Sequence, residues 1–301
     1  MILEYVKQEN DNYKTLRQVL DNKFKISYVL RLNLKRNKQI FVNDKNTYLD
    51  YELQPNDKVL VNLDYDEVCD NIVSTKIALD IIYEDDALLV LNKPAGIAIH
   101  PTMRHFENTL SNGVKYYFDT IGLKRKIRPV NRLDINTSGI VIFAKNEYVH
   151  SLLSTQMQKG SFKKEYIAIC AGIFDKKEGT INAPIGRKEN SIIERCVCSN
   201  GQKAITHYKI LNDYDNYSEL LVTLETGRTH QIRVHTAFAE HPILGDTLYG
   251  SKSSLISRQA LHSYKTTIIN PITNTKMVFT APIPDDMKKL LLWYNHLSEL
   301  K

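Results

Sequence analysis

From residue 78 onward the chain is dominated by short runs of β-type residues that are separated by turn-forming residues. Such runs include ALLVLNKPAGIAIH at 87–100, GIVIFAK at 139–145, YIAICA at 166–171 and SELLVTLE at 218–225. Hairpin-like turns outnumber the helical crossovers that a parallel sheet needs. The pattern therefore predicts an α+β fold whose central sheet is mixed but largely antiparallel.

A helix is predicted directly after the strand at 139–145. Asn146 is placed as its N-cap and Gly160 as its end, and one face collects the apolar residues Val149, Leu152, Leu153 and Met157. A side-chain acceptor before an apolar face of helical period is a common way for a helix to begin.

The first 62 residues read as a small α/β module of their own. Two short helical patterns cover residues 14–36, with Ser27 placed to cap the second, and the strand-turn segments QIFVNDK and LQPNDKVLV follow. Residues 63–77 are acidic and poorly periodic, which is typical of a linker. The remaining residues, 78–301, form the larger domain.

Composition fits a soluble globular protein with a full core. Of 301 residues, 43% are hydrophobic and 25% charged, and no stretch approaches the ~20 apolar residues of a membrane span. The chain begins without a signal-type apolar run, so we expect a cytoplasmic protein. The spacing of Cys69, Cys170, Cys196 and Cys198 suits reduced thiols better than a disulfide framework or a zinc site.

The net charge of +6 permits a polyanionic partner. Basic residues cluster at 35–38 (KRNK), at 124–128 (KRKIR) and at 163–164 (KK). A solvated surface explains any one such cluster, but the three together favour RNA.

The segment RPVNRLDINTSGIVIFAK, residues 128–145, places Arg132 and Asp134 against a strand that must be buried. Asp134 has two interpretations. The residues after it form turns readily, so a turn or capping carboxylate explains it. Alternatively, the strand holds the carboxylate rigidly at a sheet edge, as a catalytic group requires.

This segment resembles the Arg-Leu-Asp, Thr-Ser-Gly signature of the RluA family of RNA pseudouridine synthases. The resemblance covers about residues 80–290 in seven ordered blocks, which are NRLDINTSGIVIFAK, VLNKPAGIAIHP, KKEYIAI, INAPIGR, ETGRTHQIRVHTAFAEHPILGDTLYG, RQALHSY and FTAPIPDDM. The sequence departs from the family at Asn131, where His is frequent, and at Ile135, where a polar residue is common. Neither position is expected to take part in bond chemistry.

The resemblance implies a pseudouridine synthase fold and three catalytic residues. Asp134 falls on the invariable aspartate, Arg233 on its arginine partner and Tyr166 on the active-site tyrosine, which would stack on the uracil. A cap at Thr229 would place Arg233 one turn into a helix. The N-terminal module resembles an RNA-binding module that is shared with a ribosomal small-subunit protein.

The chemistry implied by the family needs no cofactor. Converting uridine to pseudouridine breaks the bond from ribose to N1 and joins the ribose to C5, without net redox change. We therefore expect no cofactor, and the sequence has neither a phosphate loop nor a dinucleotide fingerprint. We also expect no metal, because His230, His235 and His241 lack the spacing of a helical zinc pair.

A stacked uridine must leave its helix to reach an aspartate. Arg132 lies on the same side of the extended segment as Asp134, so its planar guanidinium is the candidate to fill the gap. Phosphate contacts are predicted for Arg228, Lys164 and Lys93, although a surface charge explains each nearly as well. His230 is a candidate wall of the RNA channel.

Large-subunit ribosomal RNA is the expected substrate, and transfer RNA is a second possibility. Two other functions are compatible with the resemblance. A non-catalytic RNA-binding or ribosome-assembly factor would be free to lose Asp134, Tyr166 or Arg233, yet all three are present. A hydrolase of the nucleoside bond needs a positioned water and a general base, for which no residue stands out.

Overall fold

The structure, a computed structural model, describes residues 1–103 and 105–298, with side chains as far as residue 291. The helices are α1 Leu16–Gln18, which continues into a π-helical turn at Val19–Lys23, α2 Tyr28–Arg36, α3 Leu110–Thr120, α4 Glu147–Gln158, α5 Gln231–Phe238 and α6 Asp285–Ser298. The strands are β1 Ile2–Val6, β2 Ile40–Val42, β3 Lys45–Asn46, β4 Lys58–Asn62, β5 Ile81–Glu84, β6 Leu88–Lys93, β7 Arg128–Pro129, β8 Ser138–Ala144, β9 Lys163–Ala171, β10 Glu178–Asn182, β11 Ile185–Arg187, β12 Arg195–Val197, β13 Ile205–Tyr214, β14 Tyr217–Leu224, β15 Leu261–Ile269 and β16 Lys276–Thr280.

The larger sheet has the strand order β10-β13-β14-β9-β15-β8-β6-β5, with β16 beside β15 and β7 beside β8. Its pairs are antiparallel except for β15 and β8, which run parallel. The predicted α+β fold with a largely antiparallel mixed sheet is confirmed. Every residue of β8 is buried, as expected of a central strand covered on both faces.

The predicted helix at 146–160 is also confirmed. The Asn146 side chain accepts a hydrogen bond from the Val149 amide, and Gly160 follows α4 with a positive φ of 74°. Val149 and Leu153 pack into the core beneath β8. Two features stabilise the helix. The Asn146 side chain accepts from a first-turn amide that has no partner within the helix, and the apolar face packs against the sheet.

The N-terminal residues form a separate four-stranded sheet in the order β1-β4-β2-β3. Ser27 caps α2 as predicted, by accepting from the Leu30 amide. The sequence did not predict β1, because this edge strand buries only Tyr5 and so lacks a clear alternation. Tyr148 of α4 completes the module's core, and its hydroxyl donates to the Phe24 carbonyl.

Residues 63–77, all of them described, contain no helix or strand. Their acidic start nevertheless binds the basic run at 124–128. Arg128 donates to both oxygens of Glu67, at 2.7 and 2.5 Å, and Arg125 pairs with Asp64. Lys124 pairs with Asp66. This basic run therefore neutralises an internal acidic segment, and its charge says less about RNA than the sequence suggested.

Candidate active site

Asp134 ends the extended segment that leads into β8, a central strand of the large sheet. A turn at Ile135 and Asn136 follows, and β8 begins at Ser138. Gly139, at φ +110°, pairs with Ser263 of β15, and a β-carbon there would lie 2.2 Å from the Ser263 carbonyl oxygen. Only glycine permits this approach. The strand register therefore fixes where the segment carrying Asp134 enters the sheet.

Lys93 holds the turn after Asp134 from inside the protein. Its ammonium donates to the carbonyls of Pro94, Ile97 and Ile135 at 2.8–2.9 Å, and the residue is fully buried. Burial lowers the pKa of Lys93 to about 7. The predicted phosphate contact at Lys93 is therefore wrong. All three donors are used on carbonyls that no RNA can displace without opening the fold.

Arg258 holds the same turn from the other side. Its guanidinium donates to the Asn136 carbonyl at 3.2 Å and forms two bonds to Asp286, at 2.7 and 2.9 Å. Asp286 lies at the start of α6. The C-terminal helix is thus connected to the turn beside Asp134 through one buried arginine.

Arg233 joins Asp134 to a second, deeper carboxylate. Its Nη1 donates to Asp134 Oδ2 at 3.0 Å, while Nε and Nη2 form a two-bond fork with Asp246 at 2.7 and 2.8 Å. The Arg233 side chain is 9% exposed, that of Asp134 26% and that of Asp246 0%. Asp246 orients the guanidinium, and the guanidinium presents one donor to Asp134.

Sequence reasoning missed Asp246. Burial alone would raise the pKa of Asp246, but the Arg233 guanidinium and the amides of Leu248 and Tyr249 hold it below its usual range. The only signal in the sequence was its position in the GDTLYG block, where an aspartate between small residues reads as a turn.

Tyr166 lies on β9 opposite Ser263, the residue that also pairs with Gly139. Two strand pairings therefore bring it beside the Asp134 segment, and its ring packs in a core cluster that Leu133 joins. Burial and the negative charge of Asp134 both raise the pKa of Tyr166. Its hydroxyl therefore stays protonated at neutral pH.

His230 stands directly before α5 and faces Asp134. Its Nε2 lies 3.9 Å from Asp134 Oδ2, and its Nδ1 lies 2.8 Å from the Tyr249 hydroxyl. Burial lowers the pKa of His230 and outweighs the Asp134 carboxylate, which would raise it. The site thus brings together Asp134, Tyr166, Arg233 and His230.

The expected cap at Thr229 is wrong. Helix α5 begins at Gln231, and the residue before it is His230, which makes no side-chain cap. The Gln231 side chain instead accepts from the Arg228 amide and the Thr226 hydroxyl, at 2.9 and 2.8 Å. This side chain organises the turn in the way a capping threonine would have done.

The other predicted RNA contacts lie around this centre. Arg132 is exposed and makes no hydrogen bond or ion pair with any described residue. Arg228 is exposed but donates to the Gln202 side chain and the Lys203 carbonyl. Lys164 is half-buried, and burial lowers the pKa of its ammonium. The ammonium lies next to Gly227, where a side chain would begin 3.6 Å from Nζ.

The remaining histidines and the cysteines have structural surroundings. His235 is buried between the Thr206 hydroxyl and the Ala183 carbonyl, and His241 stacks on Phe174. The cysteines are free. No three His, Cys, Asp or Glu residues within the described ranges are grouped so as to hold a metal ion. No described helix is long and apolar enough to cross a membrane.

These contacts place the Asp134 carboxylate, Tyr166 and His230 around one buried arginine, Arg233. Residues 87–238 match the family described as RNA pseudouridylate synthase. The uncharacterized RNA pseudouridine synthase YhcT of Bacillus subtilis is 40% identical over 294 residues, which span 97% of this chain and 97% of that protein.

Ribosomal large subunit pseudouridine synthase D of Haemophilus influenzae is 37% identical over 229 residues, covering 71% of this chain and 70% of that protein. The structure of human RNA pseudouridylate synthase domain containing 4 has the same fold, with a TM-score of 0.59 at 20% identity over 72% of this chain and 93% of that one. The chain therefore belongs to the RNA pseudouridine synthase family, and it is an enzyme of the RluA type.

Proposed function

We propose that this enzyme isomerises uridine in large-subunit ribosomal RNA, with Asp134 as the group that reacts at the ribose. The observation that carries the proposal is the asymmetry of the Asp134 carboxylate. Oδ2 accepts from Arg233 at 3.0 Å, whereas Oδ1 accepts no hydrogen bond from any described residue. One oxygen is held by Arg233, and the other is left without a described partner in a side chain that is 26% exposed.

The reaction uses this asymmetry directly. The C1′–N1 bond breaks, the uracil turns, and the C1′–C5 bond forms. C5 then loses its proton and N1 takes up a proton, so that the atoms balance. Positive charge develops on the ribose as the first bond breaks, and the free Asp134 oxygen attacks or stabilises it. Tyr166 supports the uracil by stacking, because its ring is fixed on a rigid strand beside the carboxylate.

The RNA class is inferred from the relatives. One of them is named for the large ribosomal subunit, and the similarity to it extends over most of both chains. Pseudouridine mapping in total RNA, from cells with and without this protein, tests the proposal. We expect lost sites in large-subunit ribosomal RNA. Lost sites confined to transfer RNA would overturn the substrate, and no lost site would indicate the non-catalytic alternative.

Arg132 carries the base-flipping part of the proposal. It is exposed, lies two residues before Asp134 in an extended segment, and has no described partner that would hold it back. Its guanidinium is therefore free to enter a base stack when a uridine leaves it.

For Arg132→Ala we expect single-turnover isomerisation to fall much more on folded RNA than on a short unstructured oligonucleotide, where unstacking costs little. Arg132→Lys should rescue poorly, since an ammonium has no plane for stacking. Arg228→Ala serves as the matched control and should affect both RNAs alike. Equal losses on the two RNAs for Arg132→Ala, or full rescue by lysine, would assign Arg132 to a phosphate instead.

The proposed division of the chain is an RNA-binding module at 1–62, a linker at 63–77 and the catalytic domain from 78. The outer face of α2 supports a binding role for the module. Tyr28 is 66% exposed and Val29 60%, and Lys35 and Arg36 occupy the last turn of the helix. A helix with exposed apolar side chains in its first turn and cations in its last suits a nucleic-acid surface.

Charge removal tests the module better than deletion, because Tyr148 of the catalytic part lies in the module's core. The double change Lys35→Gln and Arg36→Gln should weaken RNA binding and lower the slope of log affinity against log salt by about 1 to 2. Single-turnover rates at saturating enzyme should not change. The same change at Lys176 and Lys177 is the control. An unaltered salt slope in the Lys35/Arg36 variant would reject the role.

A further inference from the structure

His230 occupies a backbone conformation that a side-chain-bearing residue seldom adopts. Its φ is 57° and its ψ 21°, in the left-handed region, immediately before α5. Such conformations are strained for residues with a β-carbon and persist where the surroundings enforce them. Here the turn aims the imidazole at Asp134, with Nε2 3.9 Å from Oδ2.

The surroundings also determine which imidazole nitrogen bears the proton. The Tyr249 hydroxyl oxygen accepts from the Arg195 amide at 2.9 Å and lies 2.8 Å from His230 Nδ1. These are the two described contacts of that oxygen, and the Arg195 amide can only donate, so the assignment that uses the phenolic proton has Tyr249 donating to Nδ1. In neutral His230 the proton then sits on Nε2, where it points toward the carboxylate.

The distance of 3.9 Å between Nε2 and Oδ2 is too long for a hydrogen bond and leaves an N–H donor unsatisfied beside an anionic acceptor. His230 is 13% exposed and Asp134 26%, so each side chain keeps some accessible surface. A single polar atom of a bound nucleotide can lie between them, within hydrogen-bond reach of each.

We propose that His230 Nε2–H binds the 2′-hydroxyl of the target nucleotide, and that Tyr249 is the positioning residue that fixes the tautomer. The inference rests on the proposed role of Asp134 at the ribose. An atom between an N–H donor and a carboxylate must both accept and donate. In a uridine within an RNA chain, O2, O4 and O4′ only accept and N3–H only donates, whereas the 2′-hydroxyl does both.

The consequence is that this pair distinguishes ribose from deoxyribose. A deoxynucleotide leaves the His230 donor and the carboxylate without their bridging partner, and an unpaired polar group in a half-buried site is costly. The 2′-hydroxyl is also attached to the carbon next to C1′, so the contact orients the ribose for reaction at C1′.

A double-mutant cycle tests the contact. Synthetic hairpins carry the mapped uridine with ribose or 2′-deoxyribose at that one position, and single-turnover rates are measured for the wild type and for His230→Ala. Each single change should slow the reaction about tenfold or more, and the two together should cost little more than one alone. His230→Gln, which keeps an N–H donor, should recover part of the ribose preference, and Tyr249→Phe should lose part of it.

If the deoxy hairpin does not react at all, the same cycle is measured as affinity in an Asp134→Asn background. His207→Ala, a change at a half-buried histidine of β13 that pairs with Glu225, should leave the rates on both hairpins unaffected. If the two losses are independent and add, in either cycle, the proposed contact is overturned. The proposed function is unaffected in that case, provided that the wild type is active on the ribose hairpin. A wild type without activity on that hairpin would reject the proposed function instead.

Discussion

Replacing Asp134 by asparagine should abolish isomerisation, with a loss of about 10³-fold or more in single-turnover rate. The change removes the ionised oxygen but keeps the size of the side chain and its acceptor toward Arg233. The fold should be retained, because Arg233 keeps its two bonds to the buried Asp246 and Lys93 and Arg258 still hold the turn.

The measurement is release of tritium from C5 of labelled uridine, since that hydrogen is replaced when C5 joins the ribose. RNA affinity, measured in parallel, should stay within several-fold of the wild type. Asp70→Asn makes the same chemical change at an exposed carboxylate. It should leave both the single-turnover rate and the RNA affinity at the wild-type level. Turnover near the wild-type rate in Asp134→Asn would remove Asp134 from the catalytic role.

The sequence predicted those features that are encoded locally. A strand with a continuous apolar run, such as 139–145, has to be central, and an Asn before an apolar helical face has to be a cap. The candidate Asp134 was found because seven ordered blocks agreed. Its partner Arg233 was found in the same way, and the structure brings the two within 3.0 Å.

The features that were missed depend on contacts between distant segments. A lysine beside a Pro-Ala-Gly turn reads as exposed, yet Lys93 is fully buried, and beyond two carbonyls of its own turn it donates to the distant Ile135 carbonyl. The acidic residues at 64–67 were interpreted as part of a linker and the basic run at 124–128 as one of the clusters that favour RNA, although the two segments pair with one another. Nor does any local pattern predict a left-handed histidine, because Gln231 and Tyr249 impose that turn.

Removing the Arg233 guanidinium should cost both stability and activity, and the two losses should be separable. Arg233→Met leaves the fully buried Asp246 carboxylate without its cation, and breaking such a pair costs about 3–5 kcal/mol of unfolding free energy. The double change Arg233→Met and Asp246→Asn removes both charges while the amide oxygen still accepts from Leu248 and Tyr249. It should recover most of the stability but none of the activity.

The pH dependence identifies the cause of the stability loss. In the wild type, Arg233 holds the pKa of Asp246 below its ordinary value of 3.8, so this carboxylate stabilises the fold above that pH, and its contribution is lost as the pH falls through the lowered folded-state value. In Arg233→Met, burial is opposed only by the amides of Leu248 and Tyr249, so we expect the pKa of Asp246 to rise. The carboxylate then destabilises the fold at pH 7, and protonation relieves the penalty as the pH falls.

Chemical denaturation at pH 7 and pH 5 tests this. The difference in unfolding free energy between the wild type and Arg233→Met should be smaller at pH 5, and the difference between the wild type and the double variant should be the same at both pH values. Arg17→Met breaks an exposed ion pair with Asp50 and should cost less than about 1 kcal/mol at either pH. Activity of the double variant near the wild-type level would show that Asp134 needs no cation. If Arg233→Met is as stable as the wild type at pH 7, Asp246 must find another partner in that variant. Stability recovered without activity, as we expect, assigns Asp246 to holding Arg233 and Arg233 to holding Asp134.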